Sequence, residues 1–472
     1  MNYTSFTDNE FEILENSILI DTDGYKFSHP FMLIPGTTNE SAYIAPRGGD
    51  WEQIVHFGPQ MFFKKYLSRP ITQEEVFVAS KFALMQGTSF NTDGYNYIVE
   101  QHKGKLPIRI KSLPEGTVIN PKTIVGNIEV TDPNCTWLVS PLESPLLRAF
   151  WYPSTVATRA FNAKRIIQHY LIKSGDPDLL DYKVADFGLR GVSSKESAGI
   201  GGAAHLTSFK ISDNNTGALW AMRYYNEDVT QTTIDATQHS ISCQWKQENE
   251  EDYIRYILKV CGKKDSLFAI VADTYDVYQF CHKVGSLQEE IEATGSTIYL
   301  RPDSGFPPEV ALECIKILAS YFGTTTNSKG YAVINTVRLV YGDSIDCSMI
   351  DRVLYKLTHN EFSADNITFG WGHKLLQEAA RDDHQYAQKT SAMQRNGEWI
   401  GQRKKPVTAA GKGSLEGRYS VIKGDNGKYL NIRNDDDKFI EGDLLMPHFE
   451  NGELLIDYNL SEIRETINSY LL

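Results

Sequence analysis

The stretch TIYLRPDSGFPPEVALECIKILASYFG, Thr297–Gly323, sets the reading of the fold. A short apolar, β-branched run ends in a polar cluster, Arg301–Gly305, and a helical pattern follows. In that pattern Val310, Leu312, Ile315 and Leu318 lie close to helical spacing, with proline near the start. The same order recurs in YKVADFGLRG (Tyr182–Gly191), LFAIVADTYD (Leu267–Asp276), VRLVYGDSID (Val337–Asp346) and NITFGWGHK (Asn366–Lys374). DCSMIDRVLYKLTHN (Asp346–Asn360) is a further amphipathic stretch. Buried strands alternating with helices predict an α/β protein with a parallel sheet, open or closed. Such folds place active sites at the C-terminal ends of their strands. Strands need polar turns in any case, but five ends carrying Asp, Arg and Gly favour one shared site.

Composition narrows the class. The chain has 472 residues, 41% of them hydrophobic, enough for a large core in two or three domains. Its 47 basic and 60 acidic residues give a formal charge of −13, which disfavours nucleic acid as a partner and requires any phosphate site to be local. None of the six cysteines forms a C-x-x-C pair, so reduced thiols in a cytoplasmic protein are expected. The acidic, polar N-terminus lacks the features of a signal peptide, and no apolar run approaches membrane-spanning length.

The flanks read differently. LPIRIKSLPEGTVINPKTIVGNIEV (Leu106–Val130) suggests antiparallel strands around a Pro-Glu-Gly turn, and RYSVIKGDNGKYLNI (Arg418–Ile432) a hairpin on Asp425, Asn426 and Gly427. The acidic run Asp435–Asp437 reads as a solvated loop. The expected organisation is an irregular α/β barrel core over residues 151–390. An N-terminal α+β region (1–150) and a C-terminal region with a hairpin and terminal helix (391–472) flank it with antiparallel β structure.

Several side chains are suited to chemistry. Asp303 can accept hydrogen bonds from a ribose diol or hold magnesium, and Arg301 can clamp a phosphate; an Arg–Asp pair that only stabilises a turn fits equally well. Gly342 permits close approach of an anion, and Asp343 is a second hydroxyl acceptor, with capping of the next helix as its competitor. In FGLRGVSSKESAGIGGAAH (Phe187–His205), Ser193 and Glu196 have capping-box spacing, and Arg190 precedes the helix. Gly199, Gly201 and Gly202 then fall inside that helix, where close packing explains them better than a phosphate loop. His239 is a possible acid, base or phosphate acceptor, though a lone histidine is usually structural. Asp23, Tyr25 and Lys26 form a polar-aromatic cluster that an ordinary loop would also explain.

Taken in order, DGYKFSH, LPEG, TDPNC, WYPSTVAT, DFGLRGVSSKESAGIGGAAHL, RPDSG, NSKGY, GDSID and LLQEAARD resemble the nicotinamide phosphoribosyltransferase family over nearly the whole chain. The resemblance implies a homodimeric type II phosphoribosyltransferase with two active sites at the subunit interface. Its reaction joins nicotinamide to phosphoribosyl pyrophosphate, with Mg2+ assisting and ATP able to phosphorylate a histidine. By similarity, Phe187 and Tyr25 of the partner subunit would sandwich the pyridine ring, and Asp213 would accept from the carboxamide. Arg190, Arg301 and Asp303 would bind ribose and pyrophosphate, with Gly342 and Asp343 by the ribose phosphate. His239 would be the phosphorylated histidine, and Arg47, Arg381 and Lys389 would reach a phosphate across the interface.

One loop departs from the family. Where its members carry a glycine run, GSGGG, this chain has Gly370, Trp371, Gly372, His373 and Lys374. The family's glycines let backbone N–H groups approach the 5′-phosphate. The change leaves two donors open. In one, His373 and Lys374 hold the ordinary terminal phosphate by side chain. Alternatively, Trp371 stacks on the adenine of ADP-ribose pyrophosphate, as in phage-type NAD rebuilding, and the product is NAD itself. A catalytically dead relative that acts by binding is a third reading, and retention of the residues above argues against it. Arg403–Lys405 and Lys412 are basic and fit either a phosphate or a solvated surface.

Overall fold

The computed structural model describes residues 5–49, 51–228, 231–408 and 413–471; Lys412 lies outside them. The chain forms two compact units, one of Val156–Ala379 with Ile467–Leu472, the other of Met1–Thr155 with Ala380–Thr466.

The first unit is built on the five strands expected from sequence and a short sixth. These are β1 (Val184–Asp186), β2 (Asp235–Ala236), β3 (Leu267–Val271), β4 (Thr297–Arg301), β5 (Val337–Tyr341) and β6 (Ile367–Trp371). They lie in the order β1-β6-β5-β4-β3-β2, and every pair is parallel. Parallel bridges Asp186–Ser212 and Ile211–Thr232 continue from the β1 edge toward β2, so the sheet curls as an irregular barrel. Ile270, Leu300, Leu339 and Phe369 are fully buried in it. Each such side chain contributes about 1.5–3 kcal/mol of transfer free energy.

Local chemistry sets the helices. Helix α1 (Lys195–His205) starts one residue later than the Ser193–Glu196 spacing suggested, because Ser194 is the cap and accepts from Ser197 N at 3.1 Å. Helix α2 is Asn215–Tyr224. Helix α3 (Pro307–Phe322) opens on two prolines and stops at Gly323, whose φ of +67° is left-handed. Helix α4 (Cys347–His359) is capped by Asp346, which accepts from Met349 N at 2.9 Å. The glycines of α1 are packing residues: a β-carbon on Gly202 would come 2.6 Å from the Gly217 Cα in α2, and one on Gly199 would meet the Trp220 indole at 2.4 Å.

The second unit carries a seven-stranded antiparallel sheet ordered Glu398–Gly401, Ala387–Arg395, Thr37–Ala45, Gly126–Val130, Ile108–Ser112, Met446–Glu450 and Glu453–Leu454. The Leu106–Val130 stretch does fold as antiparallel strands, Ile108–Ser112 with Gly126–Val130. The strand after the Pro-Glu-Gly turn, Val118–Ile119, pairs elsewhere, with Ile54–Val55. The hairpin forms between Tyr419–Lys423 and Tyr429–Arg433. The acidic run is not simply solvated: Asp435 accepts from Arg418 N at 2.8 Å, and Asp437 pairs with Arg418 at 3.5 Å. A terminal helix spans Leu460–Asn468. No helix among the described residues is long and apolar enough to cross a membrane.

Gly202→Val should drive side-chain atoms into the α2 backbone and cost roughly 1–3 kcal/mol. The readout is a thermal midpoint lowered by about 2–4 °C for each kcal/mol lost; an unchanged midpoint would contradict the packing role.

Candidate active site

Three strands deliver an aspartate at the same offset. Asp273, Asp303 and Asp343 each follow the last residue of their strand, Val271, Arg301 and Tyr341, by two positions. In a parallel sheet those positions share one edge, so the three carboxylates lie at the same end of the barrel. Burial pushes the Asp303 carboxyl above its usual range; Arg301 pulls it down, Asp273 up, His239 down and Asp343 up. Asp343 is free of the capping role that Asp346 fills, and its Oδ2 accepts from the Ser344 hydroxyl at 2.9 Å. Ser344 itself takes a left-handed φ of 57°.

These strand ends enclose a cavity of about 260 Å³. It gathers Phe187, Arg190, Arg301, Asp303, Gly342 and Asp343, all named from sequence, together with Gly372 and His373 of the departing loop. Gly191, Ser344, Ile345 and Lys374 complete the lining. Phe187 N donates to Trp371 O at 2.9 Å, and the ring then turns over β6. A β-carbon on Gly370 would come 2.0 Å from that ring, so glycine is required there by the aromatic wall. At Gly342 a β-carbon would stand 2.7 Å from an Asp303 carboxylate oxygen. The Arg301–Asp303 pair is loose, at 3.9 Å, and the buried Nε of Arg301 has no partner. The guanidinium therefore retains donors for an anion, which a pair serving only the turn would not.

Some expected residues lie outside this lining. His239 Nε2 is 3.0 Å from Asp273 Oδ1, with the imidazole 43% exposed and the carboxylate 6%. Asp273 was not singled out from sequence; its two-residue offset, shared with Asp303 and Asp343, was the signal available. Asp213 is exposed, and its Oδ1 accepts from the Thr233 hydroxyl at 2.6 Å. Trp371 does not face the cavity: it is 2% exposed, with its indole N–H unpartnered, and offers no face for an adenine. Gly372 meets no protein atom within 4 Å of a built β-carbon. His373 and Lys374 instead carry the polar groups, 3.4 Å from Glu378 and 3.4 Å from Asp346.

The remaining candidates belong to the antiparallel unit. Asp23 accepts from the Ser144 hydroxyl at 2.5 Å, which holds its carboxyl below the usual range, and Lys26 bridges to Glu143 at 3.0 Å. Tyr25 is 63% exposed. Arg47 donates to the Gln385 carbonyl at 3.0 Å. Burial lowers the Lys389 ammonium; Glu143 raises it, and Arg47, Lys404 and Arg381 lower it again, so these cations form one electropositive cluster.

Among the described residues no three metal-ligating side chains converge at the cavity. His102, Asp132 and Cys135 do so in the antiparallel unit, but each Asp132 oxygen is already bonded, Oδ2 to His102 and Tyr97 and Oδ1 to Asn134, and burial raises the Cys135 thiol to about 12. That trio reads as a satisfied helix cap.

Comparison with known proteins agrees with this geometry. The pattern of the nicotinate phosphoribosyltransferase (NAPRTase) family matches residues 182–453, and that of the nicotinamide phosphoribosyltransferase N-terminal domain matches residues 17–110. The chain is 38% identical over 457 residues to a nicotinamide phosphoribosyltransferase of Xanthomonas campestris pv. campestris, covering 95% of this chain and 97% of the relative. It is 30% identical over 490 residues to that of Acinetobacter baylyi, covering 95% and 96%. In fold it is similar to the crystal structure of nicotinate-nucleotide pyrophosphorylase from Pyrococcus furiosus, with TM-score 0.61, 17% identity and coverage of 99% and 97%. The human nicotinic acid phosphoribosyltransferase aligns with TM-score 0.55, 15% identity and coverage of 95% and 93%. The protein is thus an enzyme of the pentosyltransferase class with a type II phosphoribosyltransferase fold. Within that class, the chain belongs to the nicotinamide phosphoribosyltransferase family.

Asp303→Asn should abolish turnover yet raise the thermal midpoint of the free enzyme at neutral pH. The sign follows from its raised carboxyl: the stability it contributes is present below the ordinary carboxylate range and lost as pH rises through the folded value. A neutral amide avoids that loss. Near-normal pyrophosphate release by the variant would remove Asp303 from the site.

Proposed function

We propose that the enzyme transfers the phosphoribosyl group of phosphoribosyl pyrophosphate to nicotinamide, giving nicotinamide mononucleotide and pyrophosphate for NAD salvage. The observation that carries this reading is the cavity itself, where an aromatic wall, two arginines and two aspartates meet at parallel strand ends. The names of the relatives given above support nicotinamide as the base.

In this reaction the pyridine nitrogen attacks C1 of the ribose as pyrophosphate leaves. Phe187 offers a face for the flat ring, with Tyr25 of the partner subunit as the opposite face in a homodimer. Asp213 accepts from the carboxamide and repels a carboxylate at the same place. Asp303 and Asp343 hold the ribose hydroxyls, so the sugar is oriented before positive charge builds on C1. Arg190 and Arg301 meet the negative charge that develops on the leaving group. His373 and Lys374 hold the 5′-phosphate by side chain, and Arg47, Arg381 and Lys389 provide the electropositive cluster for the partner's phosphate.

Mg2+ fits as an ion carried by pyrophosphate rather than caged by protein. Asp303 is a carboxylate whose burial leaves it in want of a cation, and no three-ligand group stands beside it among the described residues. Asp303 would hold it with pyrophosphate oxygens, and it would neutralise charge on the leaving group. For ATP-driven phosphorylation, His239 presents a half-exposed imidazole whose Nε2 is held by buried Asp273, leaving Nδ1 as the ring nitrogen to accept. The AMP-extended donor has no such support, because Trp371 is buried.

The test gives purified enzyme nicotinamide or nicotinic acid with each donor and separates the products by chromatography. Mononucleotide from nicotinamide and the short donor, with at least tenfold less from nicotinic acid, is expected. NAD from the long donor with little mononucleotide from the short one would overturn the assignment.

A further inference from the structure

Asp186 is a carboxylate at a strand end that the reaction above leaves unused. It is fully buried, at the last position of β1, directly before Phe187. Its Oδ1 accepts from Gly188 N at 2.7 Å, and its Oδ2 from Asn214 Nδ2 at 2.8 Å. Its main-chain carbonyl accepts from Asp213 N at 3.1 Å. One residue therefore grips the turn that carries the aromatic wall and the turn that carries the carboxamide acceptor.

We propose that Asp186 is a positioning residue that sets the base-binding slot, fixing the Phe187 turn against the Asp213–Asn214 turn and so determining affinity and selectivity for the carboxamide. The inference rests on the nicotinamide reading of this site. Its geometry has no slack. Gly188, in the Phe187 turn, is held so closely that a β-carbon there would stand 3.0 Å from Asp186 Oδ1 and 2.9 Å from the Leu376 side chain. On the other side, Asn214 is fixed at three further points: Nδ2 donates to Ala198 O at 2.9 Å, Oδ1 accepts from Gly217 N at 3.0 Å, and N donates to Ser212 Oγ at 3.0 Å. The grip on Asn214 thus extends into α1 and α2, whose glycine contact admits no side chain.

The two donors call for a carboxylate here: an asparagine could accept from Gly188 N but would turn its NH2 toward Asn214 Nδ2. Burying a charge is costly unless donors repay it, and these two do so. Burial raises the Asp186 carboxyl to about 6, while Asn214 and Gly188 N pull it back and exposed Asp213 pushes it up. Asp213 thus acts on the Asp186 carboxyl, and the buried carboxylate adds to the negative field that a nicotinate carboxylate would meet beside it.

The experiment compares Asp186→Asn and Asn214→Ser with the wild-type enzyme in steady-state kinetics, using nicotinamide, nicotinic acid and phosphoribosyl pyrophosphate. In Asp186→Asn two amide NH2 groups face each other, and the nicotinamide KM should rise about tenfold or more, the loss of one charge-assisted hydrogen bond. The donor KM should stay within about twofold, and the preference for nicotinamide over nicotinic acid should fall. Asn214→Ser removes the same bond from its other end and should shift the same constant; the double variant should be little worse than either single one. If Asp186→Asn does not fold, Asn214→Ser decides alone. Unchanged nicotinamide KM and selectivity, or an equal rise in both KM values, would overturn the proposal while leaving the nicotinamide reading intact. A wild-type enzyme that makes no mononucleotide from nicotinamide would instead sink that reading first.

Discussion

The ring of Phe187 can lie over the sheet only because residue 370, in the neighbouring strand, has no β-carbon. Ala185 and Gly370 are register partners, so the chain leaves β1 directly above that gap and its next donor, Phe187 N, closes onto Trp371 O. This fixes the aromatic wall relative to the parallel ladder, and the ladder fixes everything else. Successive strands share one direction, so an aspartate placed two residues beyond each of β3, β4 and β5 must reach the same edge. The candidate site is thereby a consequence of strand register rather than of any long loop.

The electrostatics follow from that crowding. Burial raises the Asp303 carboxyl, and Asp273 and Asp343 add to the rise. Asp273 has His239 at 3.0 Å, whereas Asp303 has only a loose arginine at 3.9 Å and is displaced upward. Arg190, Arg301, His373 and Lys374 line the same cavity as Asp303 and Asp343, a mixed lining suited to an anionic substrate that carries hydroxyls. With a net charge of −13, the chain can favour an anion only where a few arginines and lysines gather, as they do at this cavity.

Much of this was legible in the sequence. Strand runs and the Asp-Gly clusters that end them are local signals, and all five strands and the helices Pro307–Phe322 and Cys347–His359 lie where periodicity places them. Contacts that depend on pairing between distant segments were not legible. Nothing local tells that Val118–Ile119 pairs with Ile54–Val55 and not with the nearer Ile108–Ser112. The two-residue strand at Asp235–Ala236 is too short to carry an alternation. Trp371 was misleading for a related reason: in a loop a tryptophan can stack on a ligand, but at the end of β6 its side chain is buried in the barrel. Asp273 and Asp186 each stand at a strand end among ordinary turn residues, so the sequence does not mark them out; the fold shows that they stand beside His239 and Asn214.

Calorimetric binding of nicotinamide to wild-type enzyme and to Phe187→Ala measures the aromatic wall most directly, without reference to turnover. A stacked ring in a preformed slot predicts that the substitution weakens nicotinamide at least tenfold and leaves phosphoribosyl pyrophosphate binding within about twofold. Equal nicotinamide affinity in the two proteins would contradict the placement of the base at these strand ends.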